Sequence, residues 1–455
     1  RHSRFGGSVP GPVTLIALCG LPLLLIFEVY SFVTQTKTIA GHNLDPTPWH
    51  VFPAQIMEPV SKYSTASTMF RCIYLTCGAA VPAAVDSRQN RTPPVSCPRF
   101  FGNIHRDLEP WAVSKISRDH VTAAKEWAAF RVVVVAGKLY VEFYYACVQS
   151  RAMFTVWGFL QLLRRFPGMI PDVDLMFDCM DKPTINRTEH DSMPLPIFRY
   201  CTSADHLDIP FPDWSFWGWP EINIEPWDVE FQSIKQGSRR RSWARKWPLA
   251  YWKGNPGVVS PIRLELLQCN HSRTWRAQIM IQDWEAAVRE GFKDSKLSAQ
   301  CDYRYKIYAE GYAWSVSLKY ILACGSCPLI ISPRYHDFFS RGLVPEKNYL
   351  PIPSFDICRE IKSTVDWGNA HSYQAEAIGR GAQDFMADLN MDRVYDYMYH
   401  VVREYSKLQT FKPVRPSSSF QVCEESVFCF SDERQKEWLR KAAAEPAEAP
   451  PCTLP

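Results

Sequence analysis

The chain carries little net charge for its length. Lys and Arg number 51 against 47 Asp and Glu, which gives a formal net charge of +4 over 455 residues. A balance this close lacks the basic surface that nucleic-acid binding needs, while a small anionic ligand stays compatible. The sequence therefore argues against nucleic acid as a main partner.

A complete zinc motif is also missing. Cys324 and Cys327 have the spacing of a zinc or redox half-site, but no second Cys-x-x-Cys and no nearby His pair accompanies them. They end an apolar, helix-like segment and precede a strand-like one. This position favours packing or a disulfide bond over metal binding or redox chemistry.

What the chain has in quantity is apolar residues, proline and cysteine. The length of 455 residues is enough for two ordinary domains with appendages, the 46% of hydrophobic residues supports real cores, and 35 prolines indicate many loops. The 15 cysteines, of which Cys19 falls in an apolar segment, suit an oxidising compartment. The sequons at Asn90, Asn186 and Asn270 predict N-glycosylation in a secretory lumen.

The N-terminal segment resembles a membrane anchor. Arg1, His2 and Arg4 precede an uncharged run at 13–27, and extension past Glu28 to Val33 gives about the 20 residues that span a bilayer. The basic flank places this end in the cytosol. We predict a cytosolic tip and signal-anchor helix at 1–33; the alternative is a cleaved signal peptide.

A stem is expected at 34–96. This segment is rich in Pro, Thr, Ser and Ala and has little periodicity, which suits a tether between membrane and catalytic region. Cys72 and Cys77 are predicted to close a small loop within it.

The first lobe is predicted at 97–195. A helix-compatible segment at 118–129, strand-like segments at 131–136 and 138–145, and an apolar helix at 153–165 alternate as in α/β folds. A buried-strand pattern at 173–178 then delivers Asp181 to its carboxyl end, where open α/β sheets place ligands. A carboxylate there suits a general base, although Asp178 lies close by and a plain turn-capping role is the alternative.

A strand, a tight turn and a helix start occur twice between residues 247 and 330. The segment 249–252 leads into the turn 253–257 and a helix after Pro261, and Tyr303–Tyr308 leads into the turn 309–313 and a helix at 314–323. This repeat is typical of an α/β nucleotide-binding half. We predict a second Rossmann-like lobe at 196–385, which makes the fold GT-B-like, with two lobes facing a cleft.

The motifs YWKGN, YRYKIYAEG and SVSLKYILACGS, with FPDWSFWGWPE upstream, resemble the Rumi-type protein O-glucosyltransferase family, particularly its plant branch. The resemblance runs from about Cys97 to Leu408 with order and spacing kept. It implies Asp181 as the catalytic base and no requirement for a metal or other cofactor. Met180 stands where the family has a basic residue.

The resemblance also implies a donor site for a UDP-sugar. Arg263 matches a family arginine whose guanidinium can clamp diphosphate oxygens; an ordinary surface arginine is the alternative. Ser317 replaces an arginine of the animal enzymes, with Lys319, Arg304 or Lys253 as possible substitutes. The implied donor-binding residues are Lys253, Gly254, Asn255, Arg263, Tyr312, Ala313, Trp314, Ser315, Val316 and Ser317.

Four residues are candidates for the acceptor side. Trp217 and Trp219 lie in an aromatic loop that suits sugar stacking, with burial between the lobes as an equal alternative. Ser150 and Arg151 follow a predicted strand and either face the acceptor or cap a helix. Asp172 and Asp174 form an Asp-x-Asp pair, but it begins a strand, so metal ligation is not predicted.

The C-terminal region is expected to hold an amphipathic helix at 386–412 that packs back on the lobes, and a flexible tail at 413–455. The anchor and the missing ER-retrieval tetrapeptide favour the Golgi membrane in type II orientation; the ER lumen is the alternative. The predicted activity is inverting transfer of glucose or xylose from a UDP-sugar to a protein or glycan hydroxyl. A non-catalytic lumenal glycan-binding protein is the rival.

Overall fold

A computed structural model describes residues 72, 77–78 and 95–455. The predicted anchor at 1–33 and nearly all of the predicted stem lie outside these residues, as does Asn90. Within the described part, no helix is both long and apolar enough to cross a membrane.

The first sheet has six strands, in the order β11-β2-β1-β3-β4-β5. Its strands are β1 (Phe130–Val135), β2 (Lys138–Phe143), β3 (Val173–Phe177), β4 (Ile197–Arg199), β5 (Ile209–Pro210) and β11 (Phe420–Val422). The turn between β1 and β2 has positive φ at Ala136 (50°) and Gly137 (71°), as a two-residue hairpin requires. This hairpin makes β1 antiparallel to β2, and β1 is antiparallel to β3 as well, so the sheet is mixed and departs from the Rossmann-like prediction.

The second sheet is entirely parallel. Its order is β10-β9-β8-β6-β7, with β6 (Trp247–Gly254), β7 (Ala277–Ile281), β8 (Tyr303–Tyr308), β9 (Cys327–Ile331) and β10 (Leu350–Ile352). The chain goes from β6 outward to β7, then returns to the other side of β6 for β8. The loops after β6 and β8 therefore diverge, which creates the crevice where doubly wound sheets bind ligands.

Twelve α-helices surround the sheets in the described residues. They are α1 (Asn103–Leu108), α2 (Arg118–Ala124), α3 (Arg151–Arg165), α4 (Trp227–Arg239), α5 (Pro261–Leu267), α6 (Trp284–Arg289), α7 (Ser317–Ala323), α8 (Ile357–Ala370), α9 (Ser372–Asp388), α10 (Met391–Ser406), α11 (Glu424–Phe430) and α12 (Glu433–Lys441). Helix α5 starts as its sequence dictates: Ser260 caps the Arg263 amide and Pro261 occupies the first turn.

The boundary between the lobes lies beyond the predicted residue 195. Strands β4 and β5, at 197–210, continue the first sheet as parallel neighbours of β3. Helix α10 returns to the same core, where Val394, Tyr397 and Tyr405 are buried. The first lobe is thus built from segments that are far apart in sequence.

Six disulfide bonds join the described cysteines. Three of them connect the chain before the first lobe to its C-terminal region: Cys72–Cys429, Cys77–Cys423 and Cys97–Cys452. The prediction that Cys72 and Cys77 pair with each other is wrong, because each pairs with a cysteine of the C-terminal region. The others are Cys147–Cys179, Cys269–Cys358 and Cys301–Cys324, and Cys201 and Cys327 are buried thiols.

The prediction of a flexible tail at 413–455 is also wrong. The segment supplies β11, α11 and α12 and is covalently closed by the same three disulfides. Trp438 of α12 packs directly on Gly218, whose φ is 120° and where an added Cβ would lie 2.4 Å from the indole. The Trp438 indole N–H donates to the Ile224 carbonyl at 2.6 Å. The tail is a structural part of the first lobe.

We expect Trp438→Ala to destabilise the protein by about 3–5 kcal/mol, because it leaves a cavity under Gly218 and removes one of the two hydrogen bonds that the Ile224 carbonyl accepts. Thermal unfolding measures the effect. Glu437→Ala, on the exposed side of the same helix, is the matched control and should change stability by less than about 0.5 kcal/mol. Equal melting temperatures for Trp438→Ala and wild type would contradict the assignment.

Candidate active site

A cavity of ≈ 360 Å³ opens between the two sheets, at the crevice between β6 and β8. Larger grooves of ≈ 810 and ≈ 750 Å³ lie elsewhere on the surface, but neither includes the carboxyl ends of β6 and β8. The cavity brings together most of the residues predicted for the site. These are Arg151, Asp181, Trp219, Lys253, Gly254, Asn255, Arg263, Tyr312, Trp314, Ser315, Val316 and Ser317.

The structure separates the roles of the two neighbouring carboxylates at the end of β3. Asp178 is buried, pairs with the Arg199 guanidinium and accepts a hydrogen bond from the Tyr145 hydroxyl. Burial raises the pKa of Asp178, against the opposing effect of Arg199. Asp181 instead lines the cavity, with its side chain 36% exposed. Of the two carboxylates, Asp181 is the one that lines the cavity, and its role as the base stays a prediction.

Arg151 holds Asp181 in place. Its Nη1 lies 2.5 Å from Asp181 Oδ1 and also donates to the Cys179 carbonyl at 3.3 Å, while its guanidinium lies 4.2 Å from the Trp214 ring centre. The disulfide Cys147–Cys179 ties the loop before α3 to the loop that carries Asp181. The carboxylate is therefore oriented by an ion pair and a covalent link.

Two of the four acceptor-side predictions are wrong. Trp217 is fully buried; its indole donates to the Tyr395 hydroxyl at 2.9 Å and its ring fills the space beside Gly158. The Ser150 side chain is also buried and donates to Glu221 at 2.9 Å. The aromatic loop, residues 211–221, packs between the two lobes. Its Trp214, Phe216 and Trp217 rings are buried there. Trp219 does line the cavity.

Most of the Arg263 guanidinium binds the protein backbone, so it is not free to clamp a diphosphate in the way that the sequence analysis predicts. It is 8% exposed, and its guanidinium donates to three backbone carbonyls: Asn255 at 2.8 Å, Glu310 at 3.1 Å and Ala309 at 3.3 Å. A further bond goes to Ser315 Oγ at 3.2 Å. Burial lowers the pKa of Arg263. Arg263 braces the two diverging loops against each other and keeps only part of its donor capacity for a ligand.

The loop at 312–317 is fixed by its own hydrogen bonds. The Ser315 amide donates to the Tyr308 hydroxyl at 3.0 Å, and the Ser315 and Ser317 hydroxyls lie 2.8 Å apart. Tyr312 is half exposed at the cavity mouth, but the Ala313 side chain is fully buried and does not reach the cavity, which corrects that prediction.

The opposite wall of the cavity comes from the turn after β6. Lys253 Nζ donates to the Asp294 carbonyl at 2.6 Å, and the Asn255 carboxamide accepts from the Gly257 amide at 2.8 Å. A Cβ at Gly254 would lie 2.4 Å from the Trp252 ring, so this wall admits only glycine there without movement.

Of the three cations proposed to compensate for Ser317, only Lys253 lines the cavity. Lys319 is buried in an ion pair with Asp213 at 3.0 Å. Arg304 donates to the carbonyls of Trp243 and Ala244, at 3.2 Å each, and does not line the cavity. Sequence spacing does not show which side of a helix or strand a cation occupies.

Several cavity residues escaped the sequence analysis. Trp252, Gln282, Trp284, Gln300 and Lys306 line the cavity beyond Arg263. A lysine in the middle of the buried, parallel strand β8 is unusual, because such strands are normally apolar. That irregularity was the available signal for Lys306.

The other candidate groups lie away from the cavity. Asp174 pairs with Arg131 through two hydrogen bonds, at 2.7 and 2.5 Å, and Asp172 accepts from the Ala136 amide at 2.7 Å, so both carboxylates of the Asp-x-Asp pair are engaged. Among the described residues, the one cluster with metal-ligand chemistry is Cys97, His400 and Cys452, and its two cysteines form a disulfide.

The two described sequons differ in exposure. The Asn186 side-chain oxygen accepts from the Thr188 amide at 2.9 Å and from its hydroxyl at 2.7 Å, in a half-buried turn. Asn270 is exposed, and its side-chain oxygen accepts from the Ile279 amide at 2.9 Å. Glycosylation of both stays a prediction.

The fold and the cavity define a two-lobed α/β protein with its site where strand order reverses. A family profile identifies it further: the chain belongs to the family described as "Glycosyl transferase family 90", which matches residues 92–455. The chain is 27% identical over 354 residues to the "O-glucosyltransferase rumi homolog" of Anopheles gambiae, covering 72% of this chain and 84% of the relative. It is 24% identical over 344 residues to "Protein O-glucosyltransferase 1" of Bos taurus, with the same coverage.

Solved structures align only weakly. The "Crystal structure of GtfA/B complex" gives a TM-score of 0.26 at 11% identity, over 36% of this chain and 37% of that chain. Sucrose-phosphate synthase from Thermosynechococcus elongatus gives 0.24 at 14% identity, over 39% and 42%. Values this low carry no argument about the fold or the function.

If the cavity holds UDP, as the resemblance implies, Arg263→Lys should weaken that binding by about tenfold or more, because an ammonium cannot replace a guanidinium that holds several carbonyls in a fixed geometry. Isothermal titration calorimetry measures this, and Arg273→Lys, at an exposed position in the same lobe, is the control. Unchanged UDP affinity in Arg263→Lys would show that the loops do not depend on this brace.

Proposed function

We propose that this protein is an inverting glycosyltransferase that moves glucose or xylose from a UDP-sugar to a hydroxyl of a protein or glycan. The observation that carries the proposal is the placement of Asp181: an oriented carboxylate at one side of a cavity whose other side is the crevice of a nucleotide-binding type of sheet. Membership in a glycosyltransferase family supports it.

The proposed reaction is a single displacement. Asp181 takes the proton of the acceptor hydroxyl as that oxygen bonds to the anomeric carbon, and the bond from this carbon to the diphosphate oxygen breaks on the opposite face. Arg151 keeps the carboxylate pointed at the acceptor. The loop at 312–317, with Lys253 and Arg263 beside it, offsets the charge that grows on the leaving UDP, so the proposal needs no metal ion.

The sugar and the compartment are proposed from separate observations. The relatives are named O-glucosyltransferases, which favours glucose, and xylose differs by one hydroxymethyl group in a pocket. Six disulfides favour the oxidising lumen of the secretory pathway. We place the protein at the Golgi membrane through the predicted N-terminal anchor, with the ER lumen as alternative.

One observation favours a second candidate function, that of a non-catalytic lumenal glycan-binding protein. Ser317 removes an expected cation, and neither Lys319 nor Arg304 replaces it in the cavity. This candidate requires carbohydrate binding without turnover and indifference to Asp181→Asn.

UDP release from UDP-glucose and UDP-xylose, with and without chelator, tests the proposal. We expect chelator-resistant release from one donor. Asp181→Asn should lower it by about 10²–10⁴-fold while UDP binding and melting temperature stay close to wild type, since the side chain is partly exposed and the asparagine oxygen can still accept from Arg151. Full activity in the variant would overturn the role of Asp181, and carbohydrate binding without release would support the binding protein.

Asp178→Asn is the matched control for the neighbouring carboxylate. Because Asp178 belongs to a buried ion-pair network, its loss should destabilise the fold by about 3 kcal/mol. A lower melting temperature for Asp178→Asn and an unchanged one for Asp181→Asn would separate structure from catalysis. A variant at Asp178 that melts normally but is inactive would reassign the base.

A further inference from the structure

Lys306 is a buried cation that faces the cavity without a counter-ion. It is 3% exposed, and its Nζ donates to the Gln300 side-chain oxygen at 2.8 Å and lies 4.7 Å from the Tyr251 ring centre. Among the described residues, no carboxylate forms an ion pair with it, and burial together with nearby Lys246 lowers its pKa to about 7. A buried ammonium in this setting is costly unless a ligand supplies an acceptor.

The position of Lys306 in the cavity follows from the strand that carries it. Arg263 meets the carbonyl of Ala309 at the carboxyl end of β8, and Lys306 lies three residues earlier, deeper along the sheet. Asp181 belongs to the other lobe, across the cavity. Gln300, which accepts from Lys306, lines the cavity as well. Along β8, Arg263 therefore meets the carboxyl end and Lys306 lies farther from that end, while Asp181 belongs to the facing lobe.

We propose that Lys306 donates a hydrogen bond to the 4-carbonyl oxygen of the donor's nucleobase and thereby selects uracil over cytosine. The inference rests on the proposed function: a nucleotide-sugar with its sugar at Asp181 and its diphosphate near Arg263 brings its base toward Lys306.

The chemistry of the two bases gives the selection. Uracil presents an oxygen acceptor at position 4, where cytosine presents an amino donor. An ammonium has three donors and no acceptor, so it pairs with the first and repels the second. Gln300 orients the ammonium through the hydrogen bond that it accepts from Nζ.

Lys246 provides a matched control for a purely structural lysine. It is 4% exposed, and burial lowers its pKa to about 8, much as for Lys306. Its Nζ, however, donates to the Cys324 carbonyl at 3.2 Å and to Ser326 Oγ at 3.1 Å, and it does not line the cavity. The two lysines share burial and differ in access to a ligand.

The test is calorimetric titration of the full chain with UDP and with CDP. Wild type should bind UDP more tightly. Lys306→Met should lose about 10–100-fold in UDP affinity and bring the UDP-to-CDP ratio close to one. Lys246→Met should keep the wild-type ratio.

Lys306→Gln is a second variant that distinguishes a loss of selectivity from a folding defect in Lys306→Met. A glutamine has a carbonyl that accepts from the cytosine amino group, so this variant should shift the ratio toward CDP, which unfolding cannot produce. Equal losses for UDP and CDP would assign Lys306 to the diphosphate and overturn the proposal, as would an unchanged ratio in both variants. Absent UDP binding in wild type would defeat the proposed function, and this inference with it. UDP binding with unaltered selectivity would defeat the inference alone.

Discussion

The buried guanidinium of Arg263 satisfies the backbone where the second sheet divides. Strands β6 and β8 are neighbours, but the loops that follow them separate, which leaves carbonyls at Asn255, Ala309 and Glu310 without sheet partners. A carbonyl without a hydrogen bond is costly when it is removed from water, and the N–H groups of Arg263 donate to all three. Arg263 therefore braces both loops that border the crevice, and Ser260 Oγ adds a further hydrogen bond to the Glu310 carbonyl at 2.8 Å.

The second constraint is the seam that fixes the two lobes. Asp213 of the aromatic loop pairs with Lys319 of α7 at 3.0 Å, and both are buried. The ring of Trp214 meets Trp314 across the seam, with centres 6.4 Å apart. Because the apolar core continues from the first sheet into α7, the distance between Asp181 and the crevice is set by packing as well as by loop geometry.

The C-terminal segment at 413–455 and the disulfides support the side of the first lobe that carries Asp181. Helix α12 covers Gly218 and Ile224 of the aromatic loop, while Cys147–Cys179 secures the loop that carries Asp181. Arg199, which pairs with Asp178 and Asp208, fixes Asp178 three residues before Asp181. These contacts place one partly exposed carboxylate in a wall that is otherwise held by packing and hydrogen bonds, which suits the general base proposed for it.

Local pattern in the sequence was enough to locate β1, β2, β3, β6 and β8, and to place Asp181 after a strand end, because strand ends and turns are set by neighbouring residues. It could not pair Cys72 with Cys429, attach α12 to the aromatic loop, turn Trp217 inward and Trp219 outward, or show that Arg263 binds carbonyls. Those outcomes depend on contacts between residues far apart in the chain, and periodicity contains no information about them. Lys306 lies between the two cases: its presence in a buried strand was visible in the sequence, but only the tertiary structure shows that it faces the cavity without a carboxylate partner.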